Sequence, residues 1–456
     1  MEDAMHMKKN VDLTEGTIWK QLLLFCLPIM FGTLFQQLYN AVDVVVVGQF
    51  VGADAIASVG GSSGMVINLV VGLFVGLSSG VTIIVSRFYG AKDSAKVHKG
   101  IQTSLLLSLI GGVLLTVPGI LLTPAMLRLL NTPEEIMTSS AAYLRIYFAS
   151  IIFVFLYNVG SAVLRALGDS RRPLYYLIVC CFINIFLDVI LVAFFRLGVA
   201  GVAIATVTAQ AVSALLTLRA LCRLDLGGDH HLMLRSMHLD TQILRKILWI
   251  GFPAALQSIM NSLSGMVMTF AINSLGTAAM AGNTSYAKLD QIFWMISTAF
   301  SVSVSTFVGQ NLGAGKKDRV KKGIGVCLGM DVLLSGFLSV FFLLFGHSLF
   351  YLFTKDPAVI ASGMQVLKAI APYYILVAFF EITGSALRGM GIVIVPMILN
   401  IAGLCGIRIL WICAVLPAFP ALNSLYGIIL SCPVSWVLTA AAMVLYYFYK
   451  TRRVLS

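Results

Sequence analysis

The feature that most restricts this chain is a succession of apolar runs, nearly free of charge and repeatedly longer than the roughly 18 residues that mark a membrane span. In lipid, only helices and closed barrels satisfy their own backbone polar groups, and unbroken runs of this length belong to helices. Bounding the runs by charges and Gly/Pro clusters predicts spans near 18–48, 55–86, 100–122, 140–164, 174–195, 199–221, 245–275, 278–307, 323–346, 364–387, 393–416 and 424–449. The expected fold class is an all-α polytopic membrane protein with twelve transmembrane helices. A soluble fold is set aside because 59% of the residues are hydrophobic and only 11% charged, more apolar side chain than a soluble core uses.

The net charge of +12 does not form a nucleic-acid patch, because the basic residues sit in short connectors. The termini and every second connector hold most of them, including Lys92, Lys96, Lys99, Arg171, Arg172, Lys316, Lys317, Arg319, Lys321, Lys322, Arg452 and Arg453. The opposite connectors hold only Arg128, Arg196 and Lys355, so the positive-inside rule places both termini in the cytoplasm. The polar stretch before the first run lacks a cleavage site, and the first helix is expected to stay as an uncleaved anchor.

The chain also repeats itself. Pro28 pairs with Pro253, Gly90-Ala91-Lys92 with Gly313-Ala314-Gly315-Lys316, and Leu164-Arg165-Ala166-Leu167-Gly168 with Leu387-Arg388-Gly389-Met390-Gly391. The offset stays at 223 to 225 residues, which predicts two pseudo-symmetric six-helix bundles in one orientation, as in alternating-access transporters. Residues 1–221 form the expected first bundle, 222–244 a cytoplasmic linker and 245–456 the second bundle. His230, His231 and His238 lie in the linker with no cysteine or acid ladder around them, so a metal site is not the expected reading.

Within the apolar runs, ionisable groups are expensive and therefore informative. Thr33, Gln36, Asn40 and Asp43 follow one another at three, four and three residues, which aligns them as a polar stripe on the first helix. Asn184 and Asp188 stand one turn apart on the fifth helix, and Thr206, Gln210, Ser213 and Thr217 share a face of the sixth. Counted from the predicted helix ends, Asp43, Asp188 and Thr206 all lie at a depth of about 10 Å. If helices one, five and six adjoin, these groups form one cluster. Two carboxylates in a poorly hydrated pocket repel each other, which disposes one of them to hold a proton; ionised, the same oxygens suit a sodium ion.

At the repeat offset, Asp43 falls on Met268, Asn184 on Ile407 and Asp188 on Trp411, so the ion chemistry is expected in the first half alone. The second half carries its own internal charges, Lys288, Asp290, Asp331, Glu381 and Arg408, for which snorkelling or interhelical pairing is the expected account. Glu381, with Gln36, Asn40, Pro28 and Gln210, is a candidate for substrate contact or gating. The eight cysteines, without a C-x-x-C pair, read as small core residues. The stretch 309–317 imitates a phosphate-binding loop, but Gln310 replaces the first Gly and Lys317 the Ser or Thr. No Ser/His/Asp grouping or metal cage supports an enzyme, and no cofactor is expected beyond a coupling ion.

Taken together, Pro28, Leu38-Tyr39-Asn40-Ala41-Val42-Asp43, Arg87-Phe88-Tyr89-Gly90-Ala91-Lys92, Arg165 through Pro173, Asn184 with Leu187-Asp188, and Gly198 through Thr206 resemble the multidrug and toxic compound extrusion (MATE) transporters. That resemblance implies two bundles forming a V-shaped cleft and export of small organic, often cationic, compounds in exchange for protons or sodium. It implies a monomer among lipids of a bacterial plasma membrane. The DinF-like branch of the family uses an aspartate on helix one, an asparagine and an aspartate on helix five and a threonine on helix six, positions matched by Asp43, Asn184, Asp188 and Thr206. Helix seven lacks the acid that the other bacterial branch uses. The competing readings are a lipid-linked oligosaccharide or polysaccharide flippase of the same superfamily and, from another class, a passive channel.

Overall fold

The computed structural model describes residues 11–224, 237–419 and 422–455, so the expectations about His230 and His231 lie outside the described residues. Among the described residues, twelve helices are long and apolar enough to cross a membrane: α1 (Ile18–Phe50), α2 (Asp54–Gly90), α3 (Ser94–Leu129), α4 (Glu134–Ala166), α5 (Arg171–Phe194), α6 (Gly198–Cys222), α7 (Thr241–Asn273), α8 (Thr277–Gly313), α9 (Lys317–Tyr351), α10 (Pro357–Gly389), α11 (Ile394–Ala418) and α12 (Leu425–Val454). No strand occurs among the described residues.

Most of these helices outrun the apolar cores that announce them. Helix α3 begins at Ser94 because Asp93 caps it, its carboxylate accepting from Lys96 N at 3.0 Å and satisfying an orphan donor of the first turn. Helix α1 runs unbroken through Pro28, and α7 through Pro253.

The chain forms two compact units, one of Met1–Asp12 with Leu24–Ala255, the other of Leu13–Leu23 with Leu256–Ser456. In the first, α4 packs against α2, α3 and α6; in the second, α10 packs against α8, α9 and α12. The apolar stretch of α4 is 72% buried whereas that of α1 is 22% buried, so α4 is a core element and α1 a peripheral one. In the second unit, Arg319 donates to the carbonyls of Leu13, Glu15 and Gly16, and Asn311 Nδ2 to that of Leu13, fastening the segment that leads into α1.

The first turns of α7 lie against α2 at backbone contact. A Cβ on Gly76 would collide with Ala255 N, and one on Gly80 with Ile247 O. Gly76 and Gly80 on one helix and Gly251 and Ala255 on the other form a small-xxx-small pair, the pattern that lets membrane helices approach closely without a hydrophobic drive. The repeat also extends to backbone detail: left-handed residues recur at Gly52 and Gly276, at Lys92 and Gly315, and at Gly168 and Gly391.

Replacing Gly76 or Gly80 by Ile forces these backbones apart, an overpacking cost of about 1–3 kcal/mol or more. The expected outcome is a fall of several degrees in melting temperature and loss of a monodisperse peak in detergent. Thermal-shift fluorescence and size exclusion measure both, with Gly325→Ile, where a Cβ meets nothing within 4 Å, as the tolerated control.

Candidate ion site in the first bundle

Three helices each bring one part of the site. Asp43 lies seven residues before Phe50 on α1, Asp188 six before Phe194 on α5, and Thr206 eight after Gly198 on α6, which sets all three about 9–12 Å from those helix ends. The structure brings them together with Asn184. The side chain of Asp43 interacts with those of Asp188, Asn184 and Thr206, and Asn184 Nδ2 donates to Thr206 Oγ1 at 3.4 Å.

All four are deeply buried, at 5% exposure for Asp43, 0% for Asp188, 1% for Asn184 and 8% for Thr206. Yet Asp43 Oδ1, both carboxylate oxygens of Asp188 and Asn184 Oδ1 accept no well-formed hydrogen bond from the described residues. Such oxygens are costly to leave dry, and two carboxylates cannot bond each other without a proton between them. The set offers only oxygen acceptors to a visitor, which suits a proton or a hard cation such as sodium and not a soft transition metal. Among the described residues, no cluster of three or more His, Cys, Asp or Glu forms a metal cage.

The local backbone is unusual at this level. After Asp188 the α-helix widens into a π-helix over Val189–Phe194, and such insertions are frequent at functional sites because they re-aim neighbouring side chains. Toward the same helix ends, Val46, Val47, Tyr143, Val192, Val199, Val202 and Ala203 form a buried apolar layer. That layer separates the cluster from the ends of α1, α5 and α6.

The polar stripe of α1 divides differently from the sequence expectation. Asn40 is exposed, Gln36 and Pro28 are half-buried, and Tyr39, at 5% exposure, enters the polar network instead. Gln210 Nε2 donates to the Tyr39 hydroxyl at 3.3 Å, and Gln36 contacts the same hydroxyl. Tyr39 stands four residues before Asp43, a helical spacing as good as Asn40's three, so the pattern could have named it. Tyr143, close enough to feel both carboxylates, comes from α4 and has no such signal.

Glu381 lies far along the chain in the second unit, where its Oε2 accepts from Ser301 Oγ at 3.3 Å and stands 3.9 Å from Arg388 Nη2. Asp331, fully buried, feels the Glu381 charge, accepts weakly from Ser335 at 3.5 Å and leaves Oδ2 unpartnered. Snorkelling, one of the two expected accounts, is ruled out for Asp331 by its burial. At the positions that correspond to the first-bundle cluster, Trp411 donates to Gly427 O at 2.9 Å and Met268 touches Cys432 at 3.5 Å. The cysteine expectation holds for six residues; Cys222 is half-buried and Cys413 is exposed.

The comparisons with known proteins agree with this architecture. A family model described as MatE matches residues 28–190 and 253–412. The probable multidrug resistance protein YpnP of Bacillus subtilis is 30% identical over 446 residues, covering 97% of this chain and 97% of its own. The probable multidrug resistance protein YoeA of the same organism is 28% identical over 418 residues, covering 90% and 89%. A solved MOP superfamily transporter from Pyrococcus furiosus superposes at a TM-score of 0.90 with 22% identity, covering 98% of this chain and 99% of that one, and so shares the fold. These proteins are transporters and not enzymes, and with the family model matching both halves, the chain belongs to the MatE family of multidrug efflux transporters.

Proposed function

We propose that the protein is a secondary antiporter that exports small organic, often cationic, compounds in exchange for protons or sodium bound by Asp43, Asn184, Asp188 and Thr206. The observation that carries this reading is the set of buried carboxylate oxygens without donors in the first bundle. An arriving proton or sodium ion supplies what they lack, and its departure restores the repulsion between Asp43 and Asp188. The apolar layer of Val46, Val47, Val192 and Val199 favours ion entry from the side of Tyr39, Gln36 and Gln210 over entry along the helix ends.

Helix α1 is the element suited to respond. Little of its apolar surface is buried, and Pro28 interrupts its hydrogen-bond ladder about four turns before Asp43, so bending it breaks few contacts. Neutralising Asp43 shifts α1 between two shapes, and the difference in ion affinity between them sets how far substrate release is driven. In this reading the chain lies in a bacterial plasma membrane as a monomer among lipids, with both termini in the cytoplasm.

Two measurements test the assignment. In detergent, either sodium at fixed pH or acidification without sodium is expected to raise the melting temperature, by about 2.7 kcal/mol of stabilisation at a hundredfold excess over Kd. The Asp43→Asn/Asp188→Asn protein should show neither response. In liposomes, export of a fluorescent organic cation should follow an imposed proton or sodium gradient and fall to the passive leak in Asp43→Asn and in Asp188→Asn. Wild-type rates in both variants would refute the coupling.

A further inference from the structure

Arg408 stands fourteen residues after the first residue of α11 and ten before its last, which puts its Cα about 21 Å from one helix end and about 15 Å from the other. The stem cannot carry the guanidinium to either end, so snorkelling, one of the two accounts expected from the sequence, does not apply. Its helix is widened on both sides, by π-helices over Ile401–Gly406 and Trp411–Val415. The side chain turns into the second unit: Nε donates at 3.2 Å to Oγ of Ser435, which is fully buried on α12, and its charge reaches Asp290 on α8 and the buried thiols of Cys405 and Cys432.

An internal arginine is expected to neutralise an acid, yet Asp290 takes its donors elsewhere. Its Oδ1 accepts from the hydroxyls of Tyr286 at 2.7 Å and Tyr374 at 2.9 Å, and its Oδ2 from Trp294 Nε1 at 3.1 Å. It makes no close ion pair with Arg408. Among the described residues the Nη1 and Nη2 groups of Arg408 therefore have no acceptor, and they are not sealed by packing. A second donor in the same network is also unused: Trp436 Nε1 is buried without a partner among the described residues, and its ring packs at 6.3 Å from Tyr374, whose hydroxyl bonds Asp290.

A planar fork of free N–H groups and a spare indole N–H, set among aromatic rings at mid-helix depth, ask for an acceptor that carries negative charge. We infer that Arg408 receives an acidic group, a carboxylate or phosphate, on the transported compound, so that the cargo includes organic anions and zwitterions as well as cations. A lipid headgroup is too shallow to supply that acid at this depth. The inference rests on the exporter reading, but it concerns ligand charge and not ion coupling.

The test compares two dyes that differ in one carboxylate: rhodamine B, which bears it free, and rhodamine B ethyl ester. Binding to the full chain in detergent is read by fluorescence polarisation with no gradient imposed, so failed coupling and failed recognition are separate results. Wild type is expected to prefer rhodamine B. Arg408→Gln should weaken rhodamine B by about tenfold or more, the worth of a charge-assisted pair, while ester binding changes by less than about twofold. Arg408→Lys, which keeps the charge without the fork, should retain a reduced preference and serves alone if the Gln variant is not monodisperse. No preference in wild type, an equal loss for both dyes in Arg408→Gln, or a full preference in either variant overturns the assignment.

Discussion

A carboxylate oxygen that is buried in a membrane bundle without a donor is the constraint on which the rest of this structure turns. Each such oxygen costs several kcal/mol by general estimates, so a fold retains it only where something arrives to satisfy it or where it does work. The two bundles answer the constraint in opposite ways. Asp290 is saturated by two tyrosine hydroxyls and an indole N–H, which fixes its carboxyl group in place. Asp43 and Asp188 face each other with unused acceptors and only the Asn184 amide and Thr206 hydroxyl beside them. A saturated acid holds structure, whereas an unsaturated pair leaves room for a mobile cation.

The backbone of the two halves repeats more faithfully than the chemistry it carries. The left-handed turn residues recur at matching positions, and a π-helix follows Asp188 in the first half and begins at Trp411, its counterpart, in the second. On that shared scaffold Met268, Ile407 and Trp411 stand where the first half has Asp43, Asn184 and Asp188. The second half instead holds a tethered cation, Arg408, near the corresponding level. One fold thus presents oxygen acceptors in one bundle and nitrogen donors in the other.

The architecture was legible because hydropathy runs and the offset near 223 residues are properties of order along the chain. The cluster was partly legible for a related reason: Asn184 and Asp188 are one turn apart, and three helix-end counts coincided in depth. The same arithmetic failed at Asn40 and Tyr39, since spacings of three and four are equally helical and only the packing of α6 against α1 selects between them. It left snorkelling and interhelical pairing equal for Arg408 and Asp331, and only the structure chose, through the burial of Asp331 and the bond of Arg408 to Ser435 on α12.

By itself, the sequence determined twelve helices, their pairing into two repeats and the identity of the acids that a membrane interior makes expensive, because each of these follows from composition and periodicity. Only the tertiary structure decided which oxygens lack donors, which tyrosine joins Gln210, and that Arg408 turns inward with its fork unused. Those are questions of distance between residues remote in the chain, and helix packing alone answers them.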